Sequence, residues 1–218
     1  REGVFDWLAS IAVQKANGSQ ARLFALVYGV GILVTTFLSN DATAVVLTPA
    51  VYAAVKKAKA TALPYLFICA FIANAASFVL PISNPANLVV YGKHIPPLVL
   101  WLRLFIVPSA LSIAATYLLL RYWSRKELMC EMERDVEQAH LSRSGRRAAW
   151  GIVLTGAILI CASAAGIALG LPTCLAAAGV VLVSIRANRR KLAEMLREIS
   201  WSVLPLVAGL FILVEAMN

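Results

Sequence analysis

Charged side chains are scarce in this chain. They make up 14% of its 218 residues against 61% hydrophobic, and mean hydropathy is +0.79. A soluble domain keeps its surface wet with roughly a quarter charged residues, so the shortfall excludes an ordinary water-solvated globule. Period-two alternation is missing as well, which argues against sheet. The four cysteines, Cys69, Cys130, Cys161 and Cys174, contain no CxxC pair, and packing is the reading for each. An initiator Met and a signal peptide are also missing. The chain opens on Arg1-Glu2-Gly3 and stops at Asn218, just after an apolar run. Both ends read as cut, so a fragment is expected.

What is present is a series of apolar runs: 22–38, 42–55, 62–80 continuing at 88–91, 98–123, 148–169, 171–185 and 201–214. Residues 1–16 read as the tail of a helix, stopped by Asn17-Gly18-Ser19. Lipid must solvate most of such a surface, and the expected architecture is an all-α polytopic membrane protein.

Twenty Lys and Arg outnumber 11 Asp and Glu, for a net charge of +9. The basic residues cluster in short loops between apolar runs: Lys56, Lys57 and Lys59; then Arg121 through Arg147; then Arg186 through Arg197. That is the positive-inside pattern, not a nucleic-acid surface, and it places these loops in the cytoplasm. Residues 124–147 read as a solvated cytoplasmic linker between two halves. Residues 186–200, with Leu192, Met195, Leu196 and Ile199 at helical spacing, read as a helix on the membrane surface.

Two polar interruptions carry the chemistry. In "VTTFLSNDATAVVLTPAVY", Ser39-Asn40-Asp41 and Thr43 sit between apolar arms that barely span, with basic residues at both outer ends. Two full crossings are possible; a re-entrant hairpin over 22–55 fits better. Bare backbone at membrane depth is tolerated only against protein or a water-filled cavity. A carboxylate there costs on the order of 2.5–3.5 kcal/mol, which makes Asp41 the candidate proton or cation carrier. The simpler alternative is that Asn40 or Asp41 caps the next helix; both roles are compatible.

In "IANAASFVLPISNPANLVVY", Pro81 and Pro85 bracket Ile82-Ser83-Asn84, with Asn87 just beyond. Two prolines four apart remove donors and unwind a turn, giving a broken helix over 62–91. An ordinary kink is the alternative. Paired polar breaks in neighbouring segments are expected at the midplane site of a transporter.

At "FLSNDATAVVLTP", "FIANAASFVLPISNPANLV" and "ISWSVLPLVAGLFILVEAMN" the sequence resembles the bacterial arsenite/antimonite efflux permeases. These belong to an ion-transporter superfamily that also holds dicarboxylate and Na⁺/H⁺ transporters. The resemblance covers essentially the whole chain and implies a protein about twice as long, built from inverted repeats. Residues 1–123 would end the first repeat, with the helix 98–123 closing it. Residues 124–147 would be the linker and 148–218 the start of the second repeat.

The resemblance further implies a secondary transporter of the bacterial cytoplasmic membrane, not an enzyme, exporting arsenite and antimonite by proton exchange. Ser39, Asn40, Thr43, Ser83, Asn84 and Asn87 are the expected substrate contacts, and Asp41 is the expected proton-coupling residue. No cofactor or metal is expected. The implied partners are the metalloid, protons and lipid, with a cytoplasmic ATPase able to dock on the basic loops. Arsenite is mostly a neutral trihydroxide near neutral pH, suited to hydroxyl and amide groups. No arginine lies at either break to clamp a carboxylate. A Na⁺/H⁺ antiporter or dicarboxylate transporter is the first rival, and a non-transporting membrane scaffold the second. Oligomeric state is not legible.

Overall fold

A computed structural model describes residues 3–91, 96–133, 140–165, 167 and 170–187, together with 205, 208, 209, 212 and 216. Among these the architecture is all-helical, with no strand beyond a lone bridge between Ser19 and Glu131. Of the surface helix expected over 186–200, Arg186 and Ala187 are the end of the helix Gly170–Ala187 and the rest lies outside the described residues, as does most of 201–214.

Helix α1 (Val4–Ala16) ends where Asn17 (φ 47°) and Gly18 (φ 80°) adopt the left-handed conformation these residues tolerate. Ser19 starts α2 (Gln20–Phe37), its Oγ accepting from the Arg22 N–H at 3.4 Å. Only Leu38 and Ser39 separate α2 from α3 (Asn40–Ala42). The helix then widens to a π turn, Thr43–Leu47, and narrows again as α4 (Thr48–Lys57). Pro49 explains the widening. A proline in a regular helix clashes with the carbonyl four residues back, and the π register just before it opens the needed space.

After a second left-handed turn at Lys59 (φ 51°), α5 (Leu63–Ala75) leads into the proline-rich gap. A 3₁₀ turn (Pro81–Ser83) and the short α6 (Pro85–Tyr91) follow, then the long α7 (Leu98–Trp123). Beyond another 3₁₀ turn (Glu127–Met129) lie α8 (Arg143–Ala164) and α9 (Gly170–Ala187).

The core lies where α1, α2, α4 and α5 meet, and Leu23, Phe24, Leu47, Val51, Ile68 and Ile72 are buried there. Helices α2 and α5 approach closely at Gly31. A Cβ at that position would sit 2.7 Å from Ile72 Cγ2, so only glycine permits the contact. Buried hydroxyls tie the helices further: Tyr65 donates to the Gln20 carbonyl at 3.1 Å and Tyr28 to the Ile113 carbonyl at 2.7 Å.

By contrast, α7 turns Val107, Leu111, Leu118 and Leu119 outward. Such a face is stable in lipid. Among the described residues three helical stretches are long and apolar enough to cross a membrane: Gln20–Phe37, Leu98–Trp123 and Gly145–Ala162.

The linker differs from its expected solvated form. Its first residues are strapped onto the fold, with Leu128 and Met132 buried. The Met132 N–H donates to the Gly18 carbonyl at 3.1 Å and the Glu133 N–H to the Ala58 carbonyl at 3.0 Å. The physical reason is that helix ends leave carbonyls without helical donors, and these residues supply them. Helix α8 also begins at Arg143, five residues before the apolar run at 148. Ser142 starts it, its Oγ accepting from the Gly145 N–H at 2.9 Å. Residues 134–139 lie outside the described set.

Candidate functional site

The first break is built by short polar side chains standing in for helical hydrogen bonds. The Leu38 and Ser39 N–H groups both return to the Val34 carbonyl, at 2.9 and 3.3 Å, and end α2. Ser39 Oγ then accepts from the Ala42 N–H at 3.1 Å, and Asn40 Oδ1 from the Asp41 N–H at 2.8 Å. Ser39 is thus the N-cap, in place of the Asn40 or Asp41 expected, although Asn40 takes up one further N–H. Buried Thr43 meets buried Thr35 across the turn, hydroxyl to hydroxyl, at 2.8 Å. Its carbonyl accepts from the Thr48 hydroxyl at 3.0 Å, five residues on, as the π register allows.

Side chains also hold the second break open. Leu80 is extended and the helix does not resume until Pro85. Ser83 Oγ accepts from the Leu80 N–H at 3.1 Å and donates to the Thr36 carbonyl at 2.8 Å. Asn87 points its amide back into the gap, donating to the Ser77 carbonyl at 2.9 Å, with the Leu80 and Pro81 carbonyls at 3.4 Å. Asn84 Oδ1 accepts from the Ala86 N–H at 2.9 Å at the start of α6. From α7, the Trp101 indole N–H donates to the Phe78 carbonyl at 3.0 Å.

The two breaks are thus in contact, through Ser83 and the end of α2. Thr43, Ser83 and Asn87 are buried, and the two hydroxyls and the Asn87 amide nitrogen are engaged within the chain. Ser39, Asn40 and Asn84 are half-buried and Asp41 is exposed. The side-chain nitrogens of Asn40 and Asn84 and the Asp41 carboxylate have no hydrogen-bond partner among the described residues. The buried Thr36 hydroxyl has none either.

Thr35, Thr36 and Trp101 were not singled out in the sequence. The Thr-Thr pair just before the first break was the available signal. Cys69 packs in the core, while Cys130, Cys161 and Cys174 are exposed on this chain, which corrects the packing reading for those three. No three His, Cys, Asp or Glu side chains converge among the described residues.

A family model described as citrate transporter matches residues 1–218. The chain belongs to that citrate transporter family. Membership in a family of transporters, together with the three apolar helices, makes it a multi-pass membrane protein. Among curated relatives it is 26% identical over 227 residues to an arsenical pump membrane protein of Escherichia coli, covering 99% of this chain and 52% of the relative. The arsenical pump membrane protein of Yersinia enterocolitica is also 26% identical over 227 residues, with the same coverage. A 46 kDa membrane protein of Mycobacterium leprae is 25% identical over 232 residues, covering 99% and 51%. The chain spans about half the length of the curated relatives it matches. No solved structure matches it.

Proposed function

We propose that this chain carries one half of the solute site of a secondary transporter exporting arsenite and antimonite from the bacterial cytoplasm in exchange for protons. The observation that carries the reading is the Ser83–Thr36 hydrogen bond. It brings two interrupted helices together and leaves the amides of Asn40 and Asn84, the Thr36 hydroxyl and the Asp41 carboxylate with capacity to spare. The names of the arsenical pump relatives support the substrate.

On this reading Thr43, Ser83 and Asn87 frame the site, while Ser39, Asn40 and Asn84 meet the solute. Arsenic trihydroxide presents hydroxyl donors and acceptors and no charge. Neutral amide and hydroxyl groups match it, and neither break contains a Lys or Arg. A neutral solute takes no energy from the membrane potential, so uphill export requires a coupled ion. Asp41 is the acid at the first break and the proposed proton carrier.

The arms of the hairpin, Gln20–Phe37 and Asn40 through Lys57, are each about 27 Å long at 1.5 Å per residue. On this reading arms of that length, tilted, would keep the tip within the bilayer, where bare backbone needs a wet cavity. Alternating access then moves hairpin and broken helix together against the rest of the longer protein, whose second repeat completes the site. The basic loops offer a cytoplasmic ATPase its docking surface.

Organic-anion transport is the second reading, favoured by the family match over residues 1–218. Everted membrane vesicles containing the full-length parent separate the two. An imposed pH gradient drives arsenite accumulation and leaves citrate unmoved if the first reading holds. Citrate movement with arsenite unmoved rejects it in favour of the second.

A further inference from the structure

The last turns of α7, the first turn of α2 and the 3₁₀ turn after α7 border an open pocket of about 350 Å³. Ala21, Leu118, Leu128 and Met129 give it apolar walls, and Arg121, Tyr122 and Arg125 complete the lining. The site described above uses none of these residues.

Both arginines are presented by aromatic rings. Arg121 Nη1 donates to the Tyr117 hydroxyl at 3.0 Å, its guanidinium 5.9 Å from that ring. The Arg125 guanidinium lies 4.7 Å from the centre of the Tyr122 ring. Neither forms an ion pair among the described residues, and Glu127, the nearest acid in sequence, pairs with neither. Arg121 in the last turn of α7 and Arg125 just past its C-cap are four positions apart on the pocket lining, and two guanidiniums so placed suit a phosphate.

The surroundings specify which phosphate. Leu111 and Leu118, seven residues apart on one face of α7, are 66% and 63% exposed and continue the stripe that ends in Arg121 and Arg125. Tyr122 and Trp123 are exposed beside the arginines, the aromatic pairing found at headgroup level. The basic residues place this end of α7 at the cytoplasmic leaflet, where anionic lipids concentrate.

We propose that this pocket holds the headgroup of an anionic phospholipid, its phosphate between Arg121 and Arg125 and its acyl chains along Leu118 and Leu111. The shape serves the assignment. A pocket apolar at its walls and cationic at its rim, opening onto a lipid-facing leucine stripe, matches an amphiphile along its whole length.

Native mass spectrometry of the full-length protein, titrated with phosphatidylglycerol, phosphatidylcholine or inorganic phosphate, tests this. Wild type is expected to retain phosphatidylglycerol in preference to phosphatidylcholine. The double variant Arg121→Gln/Arg125→Gln is expected to lose that retention by at least about tenfold. Arg143→Gln/Arg146→Gln, which removes equal charge outside the pocket, is expected to leave it unchanged. Should the first pair fail to fold, Ala21→Trp fills the pocket with both arginines intact and is expected to expel the lipid. Equal retention of the two lipids overturns the proposal. So does unchanged retention in the pocket variants, the outcome if another part of the protein covers the arginines, or displacement of the lipid by phosphate alone.

Discussion

The Ser83 hydroxyl donates to the Thr36 carbonyl at 2.8 Å, joining the second break to the end of α2 across 47 residues of sequence. The same hydroxyl accepts from the Leu80 N–H, so one buried side chain closes the 3₁₀ turn and anchors it to α2. A bland proline kink needs no such bond. Its presence ties the turn at Pro81–Ser83 to the end of α2.

Removing that bond strands two buried backbone groups. Ser83→Ala is expected to destabilise the protein by about 1–3 kcal/mol, read as a lower melting temperature in detergent. Asn87 supplies the donor for the facing carbonyls of the gap. Asn87→Asp offers acceptors only and is expected to be at least as harmful at neutral pH as Asn87→Leu. Equal stability of Asn87→Asp and wild type would remove Asn87 from this role.

The Thr35–Thr43 pair is suited to a double-mutant cycle. Thr43→Val leaves the buried Thr35 hydroxyl without its partner and is expected to cost about 1 kcal/mol, while Thr35→Val is expected to cost less, because the Thr43 hydroxyl keeps the Ser39 carbonyl at 3.5 Å. Thr35→Val/Thr43→Val is expected to cost less than the sum, with a coupling near 1 kcal/mol in equilibrium unfolding. Strict additivity would show that the 2.8 Å contact contributes nothing.

Gly31 tests the closeness of α2 and α5. Its absent Cβ would meet fully buried Ile72 at 2.7 Å, so Gly31→Ala forces a displacement and is expected to cost about 1–3 kcal/mol. Transport should fall with it, because the same two helices end at the two breaks. The double variant Gly31→Ala/Ile72→Ala is expected to be less damaging than the sum of its parts.

The linker strap should owe its stability to packing, not charge. Lys59 and Glu133 form an ion pair at 3.0 Å, but their side chains are 75% and 46% exposed. Lys59→Ala is expected to cost under about 1 kcal/mol. Leu128→Ala or Met132→Ala, which empties a buried position, should cost roughly 2 kcal/mol or more. Thermal melts ranked the other way would contradict this.

Helix content and both interruptions were legible because they rest on local rules. Long apolar runs form helices, Ser39-Asn40-Asp41 interrupts one, and Pro81 and Pro85 start the 3₁₀ turn and α6 after α5 has already ended at Ala75. Thr35 and Thr36 were not legible as partners, since they sit inside an apolar helix and only the tertiary fold brings Ser83 and Thr43 to them. The π turn had its cue in Pro49, yet hydropathy carries no trace of a change in helical register. Charge density hid the strap, where the backbone donors of Met132 and Glu133 matter more than the acids around them. Asp41 was read as an acid deep in an apolar segment, while on this chain its side chain is exposed. The apolar pattern reports depth along a segment and not which face turns outward.

The central claim is that hairpin tip and helix gap border one aqueous pocket within the bilayer. Single cysteines placed by Asp41→Cys and Asn84→Cys in a cysteine-free full-length parent test it, labelled in intact cells and in everted vesicles with a membrane-impermeant maleimide. The account predicts slow labelling at both positions, with the same sidedness and a parallel change when a pH gradient is imposed. Rapid labelling of position 41 from the periplasm, with position 84 closed from both sides, would contradict it.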